Sequence, residues 1–266
     1  MKIGFFGAGN MVSSLAKAFR QNSSKCEMYF YTPTKVNAIE LANKLNGHVV
    51  NDLIDMPNDL DWYFLGFKPQ SLEDFEFNFK SQSKIISILA ATNISILEKK
   101  FKNNKIARLM PNTPSRVYSG MNLVYFDKIF TSDEILNLKN LLQSCGEILV
   151  LQSENQIDAI TPFSGCGPGL IFDLAHIFEA SLKEIVGDSI DTRKIIAQTF
   201  FGASKLMLDE NSSAFIELRD QVTSKKGVTF EALEVLKLGK NNELYNRAFK
   251  AALARIHELN RGDNSK

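Results

Sequence analysis

Gly7-Ala8-Gly9-Asn10-Met11-Val12 lies between an apolar run that reads as a strand, Lys2 to Phe6, and a helical stretch. In that setting the first glycine permits a tight bend and the second lets the backbone approach a pyrophosphate, which then rests at a helix N-terminus. The spacing points to a bound dinucleotide; a purely structural turn is the alternative. Val12 occupies the position usually held by Gly or Ala, so the helix is expected to pack more loosely on its strand. The end of the second strand, Tyr31-Thr32-Pro33-Thr34-Lys35, bears on which dinucleotide. An NAD site typically places Asp or Glu there for the ribose 2′-hydroxyl. Two hydroxyls and a lysine suit a 2′-phosphate better, so the expected cofactor is NADPH, with NADH possible. The competing reading is that Thr34 caps the next helix.

These segments need a scaffold that brings strand ends together. Strands are expected at Lys2–Phe6, Glu27–Tyr31, Trp62–Phe67, Lys84–Leu89, Lys105–Met110, Asn122–Phe126 and Glu147–Leu151, alternating with helices. That alternation implies right-handed crossovers and a mainly parallel, doubly wound α/β sheet covered on both faces. Thr131 and Glu134 form a capping box ahead of a helix that Gly146 ends. From about Asn155 helical spacing takes over. Helices are expected at Pro168–Val186, Thr192–Asp209, Ser213–Val222, Phe230–Leu238 and Asn242–Leu259, with a frayed tail from Arg261 to Lys266. The Pro168 helix is apolar around most of its circumference, so it is expected to be buried, with a second subunit as a candidate cover. The reading is two domains, residues 1–155 binding the dinucleotide and residues 156–266 all-α.

Hydrophobic residues make up 44% and charged residues 23% of the 266, which excludes wholesale disorder. Lys and Arg number 31 against 30 Asp and Glu, leaving no excess charge to grip nucleic acid or an anionic membrane. No apolar run approaches the roughly 20 residues that span a bilayer, and no secretory leader is read at the N-terminus. Cys26, Cys145 and Cys166 cannot all pair and show no Cys-x-x-Cys spacing, which reads as a reducing cytoplasm without a zinc site. His48, His176 and His257 have no metal-ligand spacing and read as ordinary core or surface residues. Cys166 reads as a packing residue in its turn.

Four further segments, taken in order with the glycine loop, carry a resemblance. Phe67-Lys68-Pro69-Gln70, Arg108-Leu109-Met110-Pro111-Asn112-Thr113-Pro114, Ser164-Gly165-Cys166-Gly167-Pro168 and Leu218-Arg219-Asp220-Gln221-Val222-Thr223-Ser224 resemble the successive motifs of pyrroline-5-carboxylate reductases along nearly the whole chain. The resemblance implies reduction of 1-pyrroline-5-carboxylate to L-proline, the last step of proline biosynthesis, by a Rossmann domain and a helical domain that builds a homodimer or an assembly of dimers. It places Phe6, Gly7, Ala8, Gly9, Asn10, Met11, Thr32, Thr34, Asn51, Gly66, Phe67, Lys68, Pro69, Ala90 and Ala91 around the dinucleotide. Met110 to Pro114 would form a rigid turn near the nicotinamide.

The same resemblance assigns Gly227, Val228 and Thr229 to the substrate. A glycine turn that leads into a helix points N–H groups outward, which suits a small carboxylate. Thr229 is the catalytic candidate: its hydroxyl would bond the imine nitrogen while hydride reaches the imine carbon, the one that becomes C5 of proline. The family usually has Pro-Gly where this chain has Lys225-Lys226, so a more mobile loop is expected, and Thr or Ala where it has Val228. Two other readings stay open at this point. A related reductase of another imine or a β-hydroxy acid would want a lysine such as Lys183 or Lys205, and a non-catalytic NADP-binding module would bind cofactor without turnover.

Overall fold

The computed structural model describes residues 1–22 and 25–260. Lys2–Phe6 (β1), Glu27–Tyr31 (β2), His48–Val49 (β3), Trp62–Leu65 (β4), Lys84–Ser87 (β5), Lys105–Met110 (β6), Gly120–Phe126 (β7) and Gly146–Val150 (β8) form one sheet in the order β3-β2-β1-β4-β5-β6-β7-β8. Every neighbouring pair is parallel except β6 and β7. This is the expected doubly wound class, with one short strand, β3, added at the edge. Asn10–Asn22 (α1), Val36–Leu45 (α2), Ile94–Lys100 (α3) and Ser132–Leu142 (α4) supply helices in the connections.

Alternation along the central strands sorts side chains into two cores. Ile3, Phe5, Trp62 and Phe64 enter one face, and Phe6, Tyr63 and Leu65 enter the other. Strands buried on both faces read as continuous apolar runs, which is why β1 and β4 were legible as strands. The β4–β5 connection departs from the expected strand-helix alternation. After a single tight turn, Pro69–Leu72, the chain crosses the sheet face in extended form with Phe75, Phe77 and Phe79 packing on one another and on Phe6, Tyr63 and Phe101. Phenylalanines at every second position, with Glu76 and Asn78 between them, present one apolar side only when the chain is extended.

By compactness the chain divides into Met1–Pro168 together with the stretch from Ala252 on, and Gly169–Ala251. The helices of the second half are Asn155–Ser164 (α5), Gly167–Val186 (α6), Thr192–Asp209 (α7), Phe215–Gln221 (α8), Val228–Leu238 (α9) and Asn241–Asn260 (α10). α7 has the expected bounds because Asp191 caps it, its carboxylate accepting from the Lys194 N–H at 2.9 Å. α5 was not anticipated as a separate helix; Pro162 near its end masks the pattern. The expected frayed tail, 261–266, lies outside the described residues.

The expectation that α6 is buried is not met within a single chain. Only Pro168 is buried, while Phe172 is 65% and Ile185 82% exposed. Phe178 packs edge-on against Phe200 of α7, and much of the remaining apolar surface is uncovered. Among the described residues, no helix is long and apolar enough to cross a membrane.

The predicted capping box at Thr131 and Glu134 is present, and Glu134 serves a second purpose. Lys105 Nζ lies 2.8 Å from both of its carboxylate oxygens. Burial pushes the Glu134 carboxyl up, but hydrogen bonds from Lys105 and Thr131 outweigh it and hold the group below its ordinary 4.5. A lowered folded-state value adds stability above the unfolded value, and that stability is lost as pH falls through the folded one. Glu134→Gln should therefore cost roughly 1–3 kcal/mol at neutral pH. The difference from wild type should shrink on acidification to about pH 3. Urea denaturation at both pH values checks this; a difference independent of pH would contradict it.

Candidate functional site

The chain order reverses at β1, with β2 and β3 to one side and β4 onward to the other. Open α/β sheets bind ligands outside the carboxyl ends of strands at such a reversal. The backbone there is drawn tight. Gly7 donates its N–H to Tyr31 O and Gly66 donates to Phe6 O, both at 2.8 Å. Gly7 has φ +116°, and a Cβ on it would stand 2.5 Å from the Gly66 carbonyl oxygen, so the turns after β1 and β4 touch through bare backbone.

Val12 corrects the expectation of loose packing. It is 1% exposed, and a Cβ on Gly66 would lie 2.2 Å from its Cγ2. The valine on α1 thus fills space left open by a glycine on the opposite strand end, and the close approach is kept with the two roles exchanged. Gly9 differs from both. A Cβ there would meet nothing within 4 Å, leaving open space beside the start of α1, where first-turn N–H groups lack intrahelical partners.

The end of β2 also fits a phosphate-bearing ribose. Thr32 is 8% exposed, yet its Oγ1 is buried with no hydrogen-bond partner, an orphaned polar atom at the crevice. Thr34 does not cap α2: the N-cap is Lys35, in the left-handed region at φ 57°, and no side chain caps the helix. A hollow of about 180 Å³ beside the glycine loop is lined by Gly9, Asn10, Ser13, Asn37 and Lys44, among others. Ser13, Asn37 and Lys44 were not picked out from sequence. The signal was present, since Asn37, Glu40, Leu41 and Lys44 fall on one face of α2, with Glu40 already paired to Lys44.

The remaining cofactor candidates also sit at strand ends of this unit. Phe6 is buried at the end of β1, with Ala8, Asn10 and Met11 continuing the glycine loop. Asn51 is exposed just after β3, and Gly66 and Phe67 leave β4, where Phe67 stacks on Phe75 at 4.8 Å. Lys68 is exposed, and Pro69 opens the tight turn. Ala90 and Ala91 follow β5, and Ala91 has φ +51°. Beyond β6, Asn112 braces the Met110–Pro114 turn, donating to Ser164 O at 3.0 Å and accepting from Met121 N at 2.9 Å.

Gly227, Val228 and Thr229 belong to the other unit. Gly227 is the N-cap of α9 and donates to Ser224 O at 2.9 Å, closing a turn through Lys225 and Lys226. Lys226 takes φ +57°, the left-handed backbone that glycine adopts at least cost. The first turn of α9 leaves the N–H groups of Val228, Thr229 and Phe230 without intrahelical partners, and Val228 and Thr229 are exposed. Such an array can accept a carboxylate and place a hydroxyl beside it.

The lysines considered for a hydroxy-acid enzyme are engaged: Lys183 pairs with Glu179 at 3.3 Å and Lys205 Nζ lies 5.9 Å over the Phe201 ring. All three cysteines are free thiols, and burial pushes Cys145 up to about 12. Cys166 is exposed between α5 and α6. His48 stacks on Tyr29. Among the described residues, no group of three His, Cys, Asp or Glu side chains is arranged to hold a metal.

Comparison with known proteins bears on both halves. A family model described as pyrroline-5-carboxylate reductase dimerisation matches residues 154–259, and one described as NADP oxidoreductase, coenzyme F420-dependent, matches residues 2–91. Pyrroline-5-carboxylate reductase 1 of Bacillus subtilis is 30% identical, covering 97% of this chain and 89% of its own. The reductase of Vibrio alginolyticus is 26% identical, covering 97% of both. Among solved structures, a pyrroline-5-carboxylate reductase from Coxiella burnetii superposes with a TM-score of 0.84 at 25% identity over 97% of each chain. That of Plasmodium falciparum, with NADP bound, superposes with a TM-score of 0.84 at 24% identity over 98% of each and supports the fold.

The contact between Gly66 and Val12 makes a direct prediction. Gly66→Ala should destabilise by about 1–3 kcal/mol through overpacking. Adding Val12→Ala should recover part of that loss, giving a coupling of at least ~0.5 kcal/mol in a double-mutant cycle. Additive effects would contradict the exchange of roles.

Proposed function

The chain belongs to the pyrroline-5-carboxylate reductase family, and on that premise we propose that it reduces 1-pyrroline-5-carboxylate to L-proline with NADPH. The observation that carries the reading is the crevice beside β1, with open space at Gly9 and the orphaned Thr32 Oγ1; the glycine-capped start of α9 in the other unit supports it. Phe6 to Met11 form the pyrophosphate turn. Thr32 and Thr34, with Lys35, face the 2′-phosphate and favour NADPH over NADH. Asn51, Gly66 to Pro69, Ala90 and Ala91 complete the dinucleotide wall, and Met110 to Pro114 bound the nicotinamide end. Residues 1–155 form the nucleotide domain and residues 156–266 the substrate and dimer domain.

When bound, the dinucleotide supplies a hydride. The chain's own residues hold the acceptor. N–H groups at the start of α9 take the substrate carboxylate, with Gly227 and Val228 shaping the turn. Thr229 Oγ bonds the ring nitrogen of the imine. A proton on that nitrogen makes the carbon a better electrophile, so no carboxylate or imidazole is required as general acid and catalysis is mainly positioning. The carbon gains the hydride and the C=N π pair becomes the lone pair of the amine.

The matched dimerisation region and the uncovered apolar surface of α6 support a homodimer; a monomeric mass by sedimentation would contradict it. Three free thiols support a reducing cytoplasm, and recovery of the protein in a secreted or periplasmic fraction would count against that. The test of function is NADPH oxidation on adding 1-pyrroline-5-carboxylate, with proline measured as product. Thr229→Ala should lower kcat about 10- to 100-fold, the worth of a hydrogen bond to a charged group. NADPH affinity should stay within about twofold. An unchanged kcat would remove Thr229 from the mechanism, and NADPH binding without turnover on this imine would favour the non-catalytic reading.

A further inference from the structure

Ala91 holds a left-handed backbone, φ +51°, in the turn that carries Ala90 and Ala91 from β5 to α3. A non-glycine residue keeps such a conformation only where its surroundings over-determine it. Part of the hold is local: Thr92 Oγ1 donates to Ala90 O at 3.1 Å, and Asn93 Oδ1 caps α3 by accepting from Ile96 N at 3.0 Å. Another part comes from sixty residues away. Glu154 Oε1 accepts the Ile94 N–H at 2.7 Å, a charge-assisted bond to the first residue of α3.

Glu154 is itself held. Arg108, within β6 and 2% exposed, donates from one terminal nitrogen to the same Glu154 Oε1 at 2.9 Å and from the other to Asp158 Oδ1 at 3.2 Å. A buried guanidinium stays charged, so it keeps both carboxylates in place. Glu154 and Asp158 lie one helical turn apart, and Asp158 Oδ2 accepts from Asn260 Nδ2 at 2.8 Å. One guanidinium therefore faces two carboxylates, of which only Glu154 reaches the turn.

We propose that Glu154 is a positioning residue for the cofactor, fixing the Ala90–Ala91 turn through the Ile94 N–H while Arg108 fixes Glu154. The proposal rests on the reading that Ala90 and Ala91 line the dinucleotide crevice. Its alternative is purely structural: Glu154 would only neutralise Arg108, as Asp158 does. The two differ in what each carboxylate does for cofactor binding.

NADPH affinity, read by fluorescence titration of the full-length protein, separates them. Glu154→Ala should weaken NADPH binding about tenfold, and Glu154→Gln only about threefold, because its amide oxygen still accepts from Ile94. Asp158→Asn removes charge from Arg108 without touching the turn. It should leave NADPH binding within about twofold of wild type while lowering Tm, as Glu154→Ala also does. Wild-type NADPH affinity in Glu154→Ala, or equal weakening by Asp158→Asn, would overturn the proposal. Wild type that does not bind NADPH at all would instead remove the cofactor reading on which it stands.

Discussion

The backbone contact between Gly7 and Gly66 is the constraint from which the rest of the nucleotide-binding half follows. Two strand ends meet without side chains between them, so β1 and β4 can pair up to their last residues and still turn apart into opposite crossovers. The crevice exists because the turns diverge from that point. α1 can then start close above the sheet, with Val12 seated over the hydrogen of Gly66 and its N–H groups directed at the space beside Gly9. A methyl group on Gly7 would have to push the two turns apart, and one on Gly66 would drive into Val12.

A second constraint lies three strand positions from β1 across the sheet, where β6 is held at two points by ion pairs. Lys105 with Glu134 fastens its start, and Arg108, its fourth residue, with Glu154 and Asp158 fastens its second half. Removing one partner leaves the survivor without compensation, and this matters most at Arg108, whose side chain is 2% exposed. Such fastening suits a strand that must reverse direction immediately afterwards, since β7 is antiparallel to β6. It also places the turns after β5 and β6 at fixed positions along the same edge as the glycine loop. The helical half follows different rules. Its elements expose large apolar side chains within one chain.

Much of this was legible in the residues. β1, β2 and β6 have their read bounds because buried parallel strands write apolar runs ended by turn residues, and α7 does because Asp191 and its apolar spacing mark it. The glycine turn after β1 was legible because its geometry is local. What was not legible depends on partners distant in sequence. Val12 looked like a flaw until Gly66 was placed against it. Phe75, Phe77 and Phe79 replace a crossover helix only because Phe6 and Tyr63 on the sheet face and Phe101 at the end of α3 receive them. Arg108 was quoted as part of a motif, yet its two carboxylates lie 46 and 50 residues away, beyond the reach of any pattern along the chain.

The central claim is that the chain transfers hydride from NADPH to the imine carbon of 1-pyrroline-5-carboxylate. Incubation of the protein with 1-pyrroline-5-carboxylate and NADPH deuterated at both C4 positions, followed by mass and NMR analysis of the product, tests it most directly. The account predicts L-proline one mass unit heavier, with the deuterium at C5. Unlabelled proline, or oxidation of NADPH without proline, would contradict it.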